Sequence, residues 1–138
     1  MASDFQHVKL SDSVAAAPQL QPEEMAAVAA AGYRVVVNNR PDGEVPGQPT
    51  SEEIREAVEA AGMRYVYYPI NAFNFPGDDL AGIRDLFDSD DAPVLAFCRS
   101  GTRSTNLWIS SRDGEARPAA LQRGQQLGFD VSTAAAYC

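Results

Sequence analysis

One short stretch of the chain combines a cysteine, a glycine and an arginine at a spacing that suits nucleophilic chemistry. Cys98 follows an apolar run, Gly101 lies three residues later, and Arg103 begins a helix-like segment. The reactive form of cysteine is the thiolate, and a helix N-terminus and a nearby guanidinium both lower its pKa. Backbone amides around a glycine turn bind anions, and an arginine fork binds two oxygens of the same anion. The stretch therefore predicts a nucleophilic sulfur beneath a bound oxyanion.

The neighbours of Cys98 and Arg103 complete the predicted anion site. We expect the backbone amides of residues 99–103 to form a cradle, and the Ser104 hydroxyl to hydrogen-bond the thiolate. The predicted substrate-binding residues in this loop are Arg99, Ser100, Gly101 and Thr102. The alternative interpretation is that Cys98 is a small apolar residue at the end of a strand, because buried cysteines are common in proteins.

The charge of the chain restricts the classes of partner. Its 138 residues carry 19 acidic and 11 basic side chains, which gives a formal net charge of −8. Nucleic acids and anionic membranes require a basic surface, so we expect neither as a partner. Residues 92–112, however, include three arginines and no acidic residue. A local cationic pocket of this kind is compatible with a small anionic substrate, either a phosphate ester or a sulfane sulfur donor.

Strand-like and helix-like segments alternate along the chain. Apolar strand patterns lie at residues 34–38, 64–70 and 94–97, with a weaker edge strand at 5–10 and a short apolar run at 14–17. Helices are predicted at residues 22–31, 50–61, 78–88, 103–111, 115–127 and 131–135. This alternation indicates one α/β domain over residues 1–138, with a small parallel or mixed sheet flanked by helices. Ligands bind at the carboxyl ends of such strands, which directs attention to the loops after residues 38, 70 and 97.

Two of these loops supply further candidate residues. Arg40 follows the first of the three strands and is a candidate second anion contact. Asp42 in the same loop is a candidate general acid, and Glu44 is a further acid near the same edge of the sheet. The alternative is that this loop is only a solvated turn. Asn71 follows the second strand and is a candidate substrate-binding residue. Asp78 and Asp79 are candidate general acids in the same region, or else caps of the next helix.

The motif Cys98-x-x-Gly101-x-Arg103-Ser104 after an apolar strand resembles the signature loop of cysteine-dependent tyrosine and dual-specificity phosphatases. It is also similar to the active loop of rhodanese sulfurtransferases. Together with VNNRPDGE at 37–44 and RSTNLW at 103–108, it most resembles the phosphatase-like domain of bacterial beta-lactamase hydrolase-like proteins, often labelled sulfur transferases. The resemblance spans roughly residues 5–129. It implies a dual-specificity-phosphatase-like fold, a phosphocysteine intermediate on Cys98 and phosphate binding by Arg103.

Three features separate the sequence from the phosphatases that it resembles. The loop from Cys98 to Arg103 is one residue shorter, which is the rhodanese length, and Phe97 replaces the usual histidine. Asn71 stands where those phosphatases have an aspartic general acid, and an amide cannot protonate a leaving group. We therefore expect a weak phosphatase that acts on a phosphomonoester. The alternatives are sulfur transfer through a Cys98 persulfide and a non-catalytic anion-binding module.

The sequence carries no signal for a membrane or an oxidising compartment. Residues 1–10 lack the apolar run of a signal peptide, and no stretch approaches the roughly 18 apolar residues of a membrane span. Two cysteines, Cys98 and Cys138, make a poor disulfide framework. The lone His7 has no second ligand at a metal-binding spacing. We expect a cytoplasmic protein without a bound metal or cofactor.

Overall fold

A five-stranded sheet forms the centre of the protein. The computed structural model of the chain describes residues 5–89 and 91–137, so Cys138 lies outside the described residues. The strands are β1 (Val8–Lys9), β2 (Val14–Ala17), β3 (Val35–Asn38), β4 (Arg64–Tyr67) and β5 (Val94–Phe97). Their order in the sheet is β1-β2-β5-β3-β4. The pair β1 and β2 is antiparallel and the other neighbours are parallel, so β5 lies between two strands that precede it in the chain.

Helices cover both faces of this sheet. The helices α1 (Met25–Ala30) and α2 (Ser51–Ala60) pack on one face, and a 3-10 turn at Pro22–Glu24 precedes α1. The other face carries α3 (Leu80–Phe87), α4 (Thr102–Ser111), α5 (Arg117–Gln126) and α6 (Ser132–Tyr137). The predicted mixed α/β sheet flanked by helices is therefore confirmed. The predicted edge strand at 5–10 is reduced to the two residues of β1.

Strand β3 shows how one strand contributes to both layers of the core. Val35 and Val37 pack in the cluster that contains Ile83, whereas Val36 packs with Ile54 on the opposite face. Successive side chains of a strand point to opposite faces, so an unbroken apolar run is buried when helices cover both. All residues of β2, β3 and β5 are buried in this way.

Local capping chemistry fixes the starts of α2 and α3. The Thr50 hydroxyl accepts a hydrogen bond from the Glu53 amide, and the Glu53 carboxylate accepts one from the Thr50 amide. This reciprocal pair is the capping box that the sequence predicts. At the start of α3, an Asp79 carboxylate oxygen accepts from the Gly82 amide over 3.2 Å. Asp79 therefore caps the helix, which is one of the two roles that the sequence predicts for it.

Strand β4 is shorter than the sequence predicts. It ends at Tyr67 rather than at residue 70, because Pro69 has no N–H group to continue the ladder. The Ile70 amide still donates to the Asn39 carbonyl over 3.1 Å. This bond holds the loop after β4 beside the end of β3, at the carboxyl edge of the sheet.

Candidate active site

Cys98 lies directly after β5, at the carboxyl edge of the parallel strands. Its side chain is buried, with 1% of the residue exposed. Its amide donates to the carbonyl of Ala17 at the end of β2 over 3.3 Å. The Gly101 amide donates to Cys98 Sγ over 3.1 Å, so the loop turns back onto the sulfur.

Gly101 carries the chain from this loop into α4. Its φ of +92° lies in the left-handed region, and a Cβ atom there would come 3.3 Å from Cε1 of Phe129. Its carbonyl accepts from both the amide and Oγ1 of Thr105, over 3.0 and 2.8 Å. The helix begins at the next residue, and the first N–H groups of a helix have no partners within it. The structure thus places a helix N-terminus, a common anion-binding element, beside a buried sulfur.

Arg99, Ser100 and Thr102 surround this turn. Arg99 and Ser100 are exposed, and the Arg99 carbonyl accepts from the amide of Gln19 over 3.2 Å. The Ser100 hydroxyl donates to Thr102 Oγ1 over 3.0 Å. A cavity of about 570 Å³ borders the loop at Ser100 and Gly101. The structure therefore brings the predicted loop residues together, with the side chains of Arg99 and Ser100 on its outer surface.

Arg103, in the first turn of α4, forms a bidentate ion pair with Glu44. Its Nη1 and Nη2 atoms each lie 2.8 Å from a different carboxylate oxygen, and Nη1 also donates to the Ile70 carbonyl over 3.0 Å. The hydrogen bonds to Glu44 are the main cause that raises the pKa of Arg103; burial opposes them, and the electrostatic interaction with Cys98 adds to them. Arg103 is therefore a fixed cation next to the Cys98 loop.

Glu44 is shared by two arginines. Arg40 Nε donates to the carboxylate oxygen that Arg103 Nη2 also contacts, over 2.8 Å, and Arg40 Nη1 donates to Gln19 Oε1 over 3.0 Å. The hydrogen bonds from Arg103 lower the pKa of Glu44 most; burial raises it and the bond from Arg40 lowers it further. The sequence predicts Arg40 as a second anion contact. In the structure, its buried guanidinium binds Glu44 and Gln19 instead.

Ser104 makes a different hydrogen bond from the one that the sequence predicts. Its buried hydroxyl donates to Asn39 Oδ1 over 2.8 Å. Asn39 Nδ2 in turn donates to the Tyr68 carbonyl over 2.9 Å. A serine hydroxyl carries one hydrogen, so Ser104 has none left to donate to Cys98 in this arrangement. The predicted bond to the thiolate is thus replaced by a link between α4 and the end of β3.

A cavity of about 330 Å³ lies against Arg103. Thr102 and Glu44 also border it, and the loop after β4 contributes Asn71, Ala72 and Phe75. Because the lining combines charged groups with an aromatic ring, the cavity suits a ligand with a polar and an apolar part.

Asn71 borders this cavity, as expected for a substrate-binding residue, but it also shapes its own loop. Its Oδ1 accepts from the amides of Phe73 and Asn74 over 2.8 and 3.1 Å. The turn leaves Phe73 almost completely exposed, at 99%. The Oδ1 atom of Asn71 is therefore occupied by the backbone.

The three candidate general acids lie elsewhere. One Asp42 oxygen accepts from the first amide of α2 over 2.7 Å, and Asp79 caps α3. Asp78 borders a separate cavity of about 440 Å³. None of these three carboxylates borders the cavity beside Arg103. The carboxylate that does border it is Glu44, and its lowered pKa keeps it ionised at neutral pH.

Gln19 and Asn39 carry no predicted role in the sequence, and Glu44 enters it only as a further acid of its loop, although each contacts a residue in or next to the Cys98 loop. Glu44 lies 59 residues from Arg103, and Asn39 lies 65 residues from Ser104. No local pattern shows pairings at such separations. The sequence carries one signal for these contacts. Asn38 and Asn39 follow directly on the apolar run of β3, and a polar side chain buried at such a position requires a hydrogen-bond partner.

Neither a membrane-spanning helix nor a metal cluster is found among the described residues. In residues 5–89 and 91–137, no helix is both long and apolar enough to cross a bilayer. The same ranges contain no group of three or more His, Cys, Asp or Glu side chains that could hold a metal ion. His7 instead stacks on Phe5, with ring centroids 4.4 Å apart.

Solved structures with the same fold include several phosphatases. A candidate phosphatase from Neisseria meningitidis Z2491 has a TM-score of 0.76 at 30% identity, and the match covers 91% of this chain and 90% of that chain. Tk-PTP in its active form has a TM-score of 0.70 at 22% identity, covering 91% and 86%. TpbA of P. aeruginosa in complex with pTyr has a TM-score of 0.64 at 18% identity, covering 97% and 82%. These matches confirm the predicted phosphatase-like fold.

Similar sequences identify the family. The family model described as "Beta-lactamase hydrolase-like protein, phosphatase-like domain" matches residues 4–115. Beta-lactamase hydrolase-like proteins of Agrobacterium fabrum (strain C58) and Xylella fastidiosa (strain Temecula1) are 31% and 30% identical over 133 and 130 residues. Both matches cover 92% of this chain, which spans only 30% of the length of these relatives. The chain therefore belongs to the family of phosphatase-like domains of the beta-lactamase hydrolase-like proteins.

Proposed function

We propose that this domain hydrolyses phosphomonoesters through a phosphocysteine on Cys98. The observation that carries the proposal is the 3.1 Å hydrogen bond from the Gly101 amide to Cys98 Sγ. The bond holds the sulfur inside the turn that opens α4, and helix N-termini are common anion-binding positions in proteins. The first turn of that helix also carries Arg103, a cation that can hold the reacting oxyanion. The reaction class is supported by the phosphatase-like fold. One solved structure with this fold, TpbA of P. aeruginosa, contains pTyr.

In the first step, the Cys98 thiolate attacks the phosphorus atom of the ester. An S–P bond forms while the P–O bond to the leaving group breaks, and the leaving oxygen departs as an anion or takes a proton from water. In the second step, water attacks the phosphocysteine, loses a proton to solvent, and the S–P bond breaks. Phosphate leaves and the thiolate is regenerated. The amides of the α4 turn and the Arg103 guanidinium stabilise the charge on the non-bridging oxygens in both steps.

The reaction depends on the leaving group, because the cavity offers no neutral acid among the described residues. Glu44 borders the cavity, but two arginines lower its pKa and keep it ionised at neutral pH. A positioned general acid contributes about 10²–10⁴-fold to the rate. We therefore expect turnover of aryl phosphates, whose phenolate leaves unaided, and little turnover of alkyl phosphates.

The experiment is turnover of p-nitrophenyl phosphate by the wild-type chain and by Cys98→Ser, with rapid acid quenching and intact mass spectrometry. We expect a phosphoryl adduct on the wild-type chain that maps to Cys98. The Cys98→Ser variant should lose turnover and still bind inorganic phosphate in a calorimetric titration. Unchanged turnover by Cys98→Ser would rule out the proposed nucleophile.

A second reaction, sulfur transfer, is favoured by the tightness of the loop. Only four residues separate Cys98 from Arg103, and the Gly101 amide already contacts the sulfur. The Cys98 thiolate would attack the sulfane sulfur of a donor such as thiosulfate, forming an S–S bond as sulfite leaves. A cyanide or thiolate acceptor would then attack the outer sulfur and regenerate Cys98. This sequence requires no general acid.

Incubation with thiosulfate, followed by intact mass spectrometry and then by cyanide, separates the two reactions. Gain of one sulfur atom on Cys98 and formation of thiocyanate would support sulfur transfer. A phosphoryl adduct after incubation with the aryl phosphate would support hydrolysis. Phosphate binding with neither adduct would identify a non-catalytic anion-binding module and overturn both reactions.

A further inference from the structure

We propose that Glu44 is a positioning residue, which orients Arg103 so that one side of the guanidinium stays open to the reacting anion. The inference rests on the proposed function in one respect, which is that Arg103 binds that anion. It holds equally for hydrolysis and for sulfur transfer, because both reactions present an oxyanion to the Cys98 loop.

The guanidinium of Arg103 has more hydrogen-bond donors than its contacts within the protein use. A guanidinium has five N–H groups in one plane. The two bonds to Glu44 and the bond to the Ile70 carbonyl use both N–H groups of Nη1 and one of Nη2. The Nε–H group and the second N–H group of Nη2 have no partner among residues 5–89 and 91–137. These two donors lie on the same side of the guanidinium and form a second fork. Glu44 and an anion can therefore bind Arg103 together.

Glu44 is itself held in place by several contacts. Arg40 Nε donates to its carboxylate, and its amide donates to Gln48 Oε1 over 3.1 Å. Arg40 has only 5% of its side chain exposed, against 26% for Glu44, so a buried guanidinium holds a carboxylate that lies nearer the surface. A carboxylate held in this way is a fixed support for Arg103 rather than a group that leaves whenever an anion arrives.

The support extends to both ends of the Cys98 loop. Arg40 Nη1 donates to the side-chain Oε1 of Gln19, and the backbone N–H of Gln19 donates to the Arg99 carbonyl. We call Gln19, Arg40 and Glu44 the brace. Because the brace contacts the loop at Arg99 and at Arg103, it fixes the guanidinium relative to the turn that holds the sulfur. Catalytic groups that are fixed before binding lose less conformational entropy when the substrate arrives.

The test compares Glu44→Gln with the matched control Glu59→Gln. The control removes one negative charge from an exposed ion pair with Arg55, outside the site. Inorganic phosphate binding is measured by calorimetry in the Cys98→Ser background, and kcat and KM for p-nitrophenyl phosphate are measured with Cys98 present. We expect Glu44→Gln to weaken phosphate binding and raise KM by about tenfold. Glu59→Gln should change neither constant.

A double-mutant cycle shows whether Glu44 acts through Arg103. Arg103→Lys removes the fork, so Glu44→Gln should have almost no further effect on phosphate binding in that background. A purely structural role would instead lower the unfolding temperature equally in both backgrounds and leave KM of the folded fraction unchanged. If Glu44→Gln does not fold, Gln19→Ala tests the other end of the brace, with an expected weakening of a few fold.

Three results would overturn the proposal. Tighter phosphate binding by Glu44→Gln would show that Glu44 competes with the anion. A full effect of Glu44→Gln in the Arg103→Lys background would show that it acts elsewhere. Loss of the basic limb of the kcat–pH profile without a change in phosphate affinity would identify Glu44 as a proton donor. If the proposed function is wrong, the wild-type chain forms no adduct on Cys98. The phosphate titrations of the variants still test the role of Glu44 in that case, so the two failures can be told apart.

Discussion

The side chains of Ser104 and Asn39 are joined by a 2.8 Å hydrogen bond, and both residues are completely buried. The bond connects the first turn of α4 to the end of β3. Through its Nδ2 atom, Asn39 also reaches the Tyr68 carbonyl after β4. One asparagine therefore links three segments at the edge of the sheet that carries Cys98.

This link predicts a difference between two substitutions. Asn39→Ala removes two hydrogen bonds, those with the Ser104 hydroxyl and the Tyr68 carbonyl, whereas Ser104→Ala removes only the bond to Asn39 Oδ1. Each hydrogen bond contributes about 0.5–1.5 kcal/mol to the unfolding free energy. Urea unfolding followed by Trp108 fluorescence should thus show a larger loss of unfolding free energy for Asn39→Ala. Equal losses would contradict the proposed role of Asn39 as the central link.

Two glycines with the same backbone angle allow the turn at Cys98 to be tested with an internal control. Gly101 and Gly128 both have a φ of +92°, but a Cβ would meet Phe129 at Gly101 and nothing within 4 Å at Gly128. Gly128→Ala should cost about 1–2 kcal/mol of unfolding free energy for the left-handed conformation alone. Gly101→Ala should cost more and should also weaken phosphate binding in calorimetry. Unchanged phosphate binding by Gly101→Ala would contradict a cradle at this turn.

The ion pairs of Glu44 predict how the stability of the chain depends on pH. Hydrogen bonds from Arg103 lower the pKa of Glu44 in the folded state below the reference value of 4.5. The resulting stabilisation is complete above the pKa of the unfolded state and is lost as the pH falls through the folded-state pKa. The unfolding free energy of the wild type should therefore exceed that of Glu44→Gln at neutral pH, and the difference should shrink below about pH 4. A difference that grows on acidification would contradict this assignment.

Asp79 can be tested for a structural role as the cap of α3 against a catalytic role as a general acid. Asp79→Ala removes the acceptor for the Gly82 amide, which should cost about 1 kcal/mol of unfolding free energy. Because Asp79 does not border the cavity at Arg103, kcat/KM for aryl phosphates should stay at the wild-type value. A fall in kcat that is steeper for alkyl than for aryl phosphates would instead make Asp79 the general acid.

Much of the fold could be predicted because each element carries a local signal. The apolar run of β3, the capping box at Thr50 and the turn at Gly101 are all readable within a few residues. The early end of β4 depends on Pro69 lacking an N–H group, which the apolar pattern of the segment hides. Residues 5–10 form only two paired positions with β2, which are Val8 opposite Ala16 and Lys9 opposite Ala15.

The contacts of the candidate site are likewise of two kinds, local ones that the sequence predicts and long-range ones that it does not. Cys98, Gly101 and Arg103 lie within one turn of chain, so their proximity follows from the sequence. The contacts of Glu44 and Asn39 depend instead on the order of the sheet, with β5 between β2 and β3. That order brings residues from distant segments to one edge, and no local pattern encodes it. The Ser104 hydroxyl consequently meets an amide partner that the motif alone does not reveal.

The central position of β5 also governs when the sheet is completed during synthesis. Until the ribosome has produced β5, the strands β2 and β3 each have an unpaired edge facing the gap that it will fill, and such edges attract other chains. Cys98 is the residue that directly follows this strand. A chain that ends before β5 is therefore vulnerable to aggregation. The sheet is completed by the same strand that delivers the Cys98 thiol, whereas α4, α5 and α6, which cover one face of the core, are synthesised afterwards.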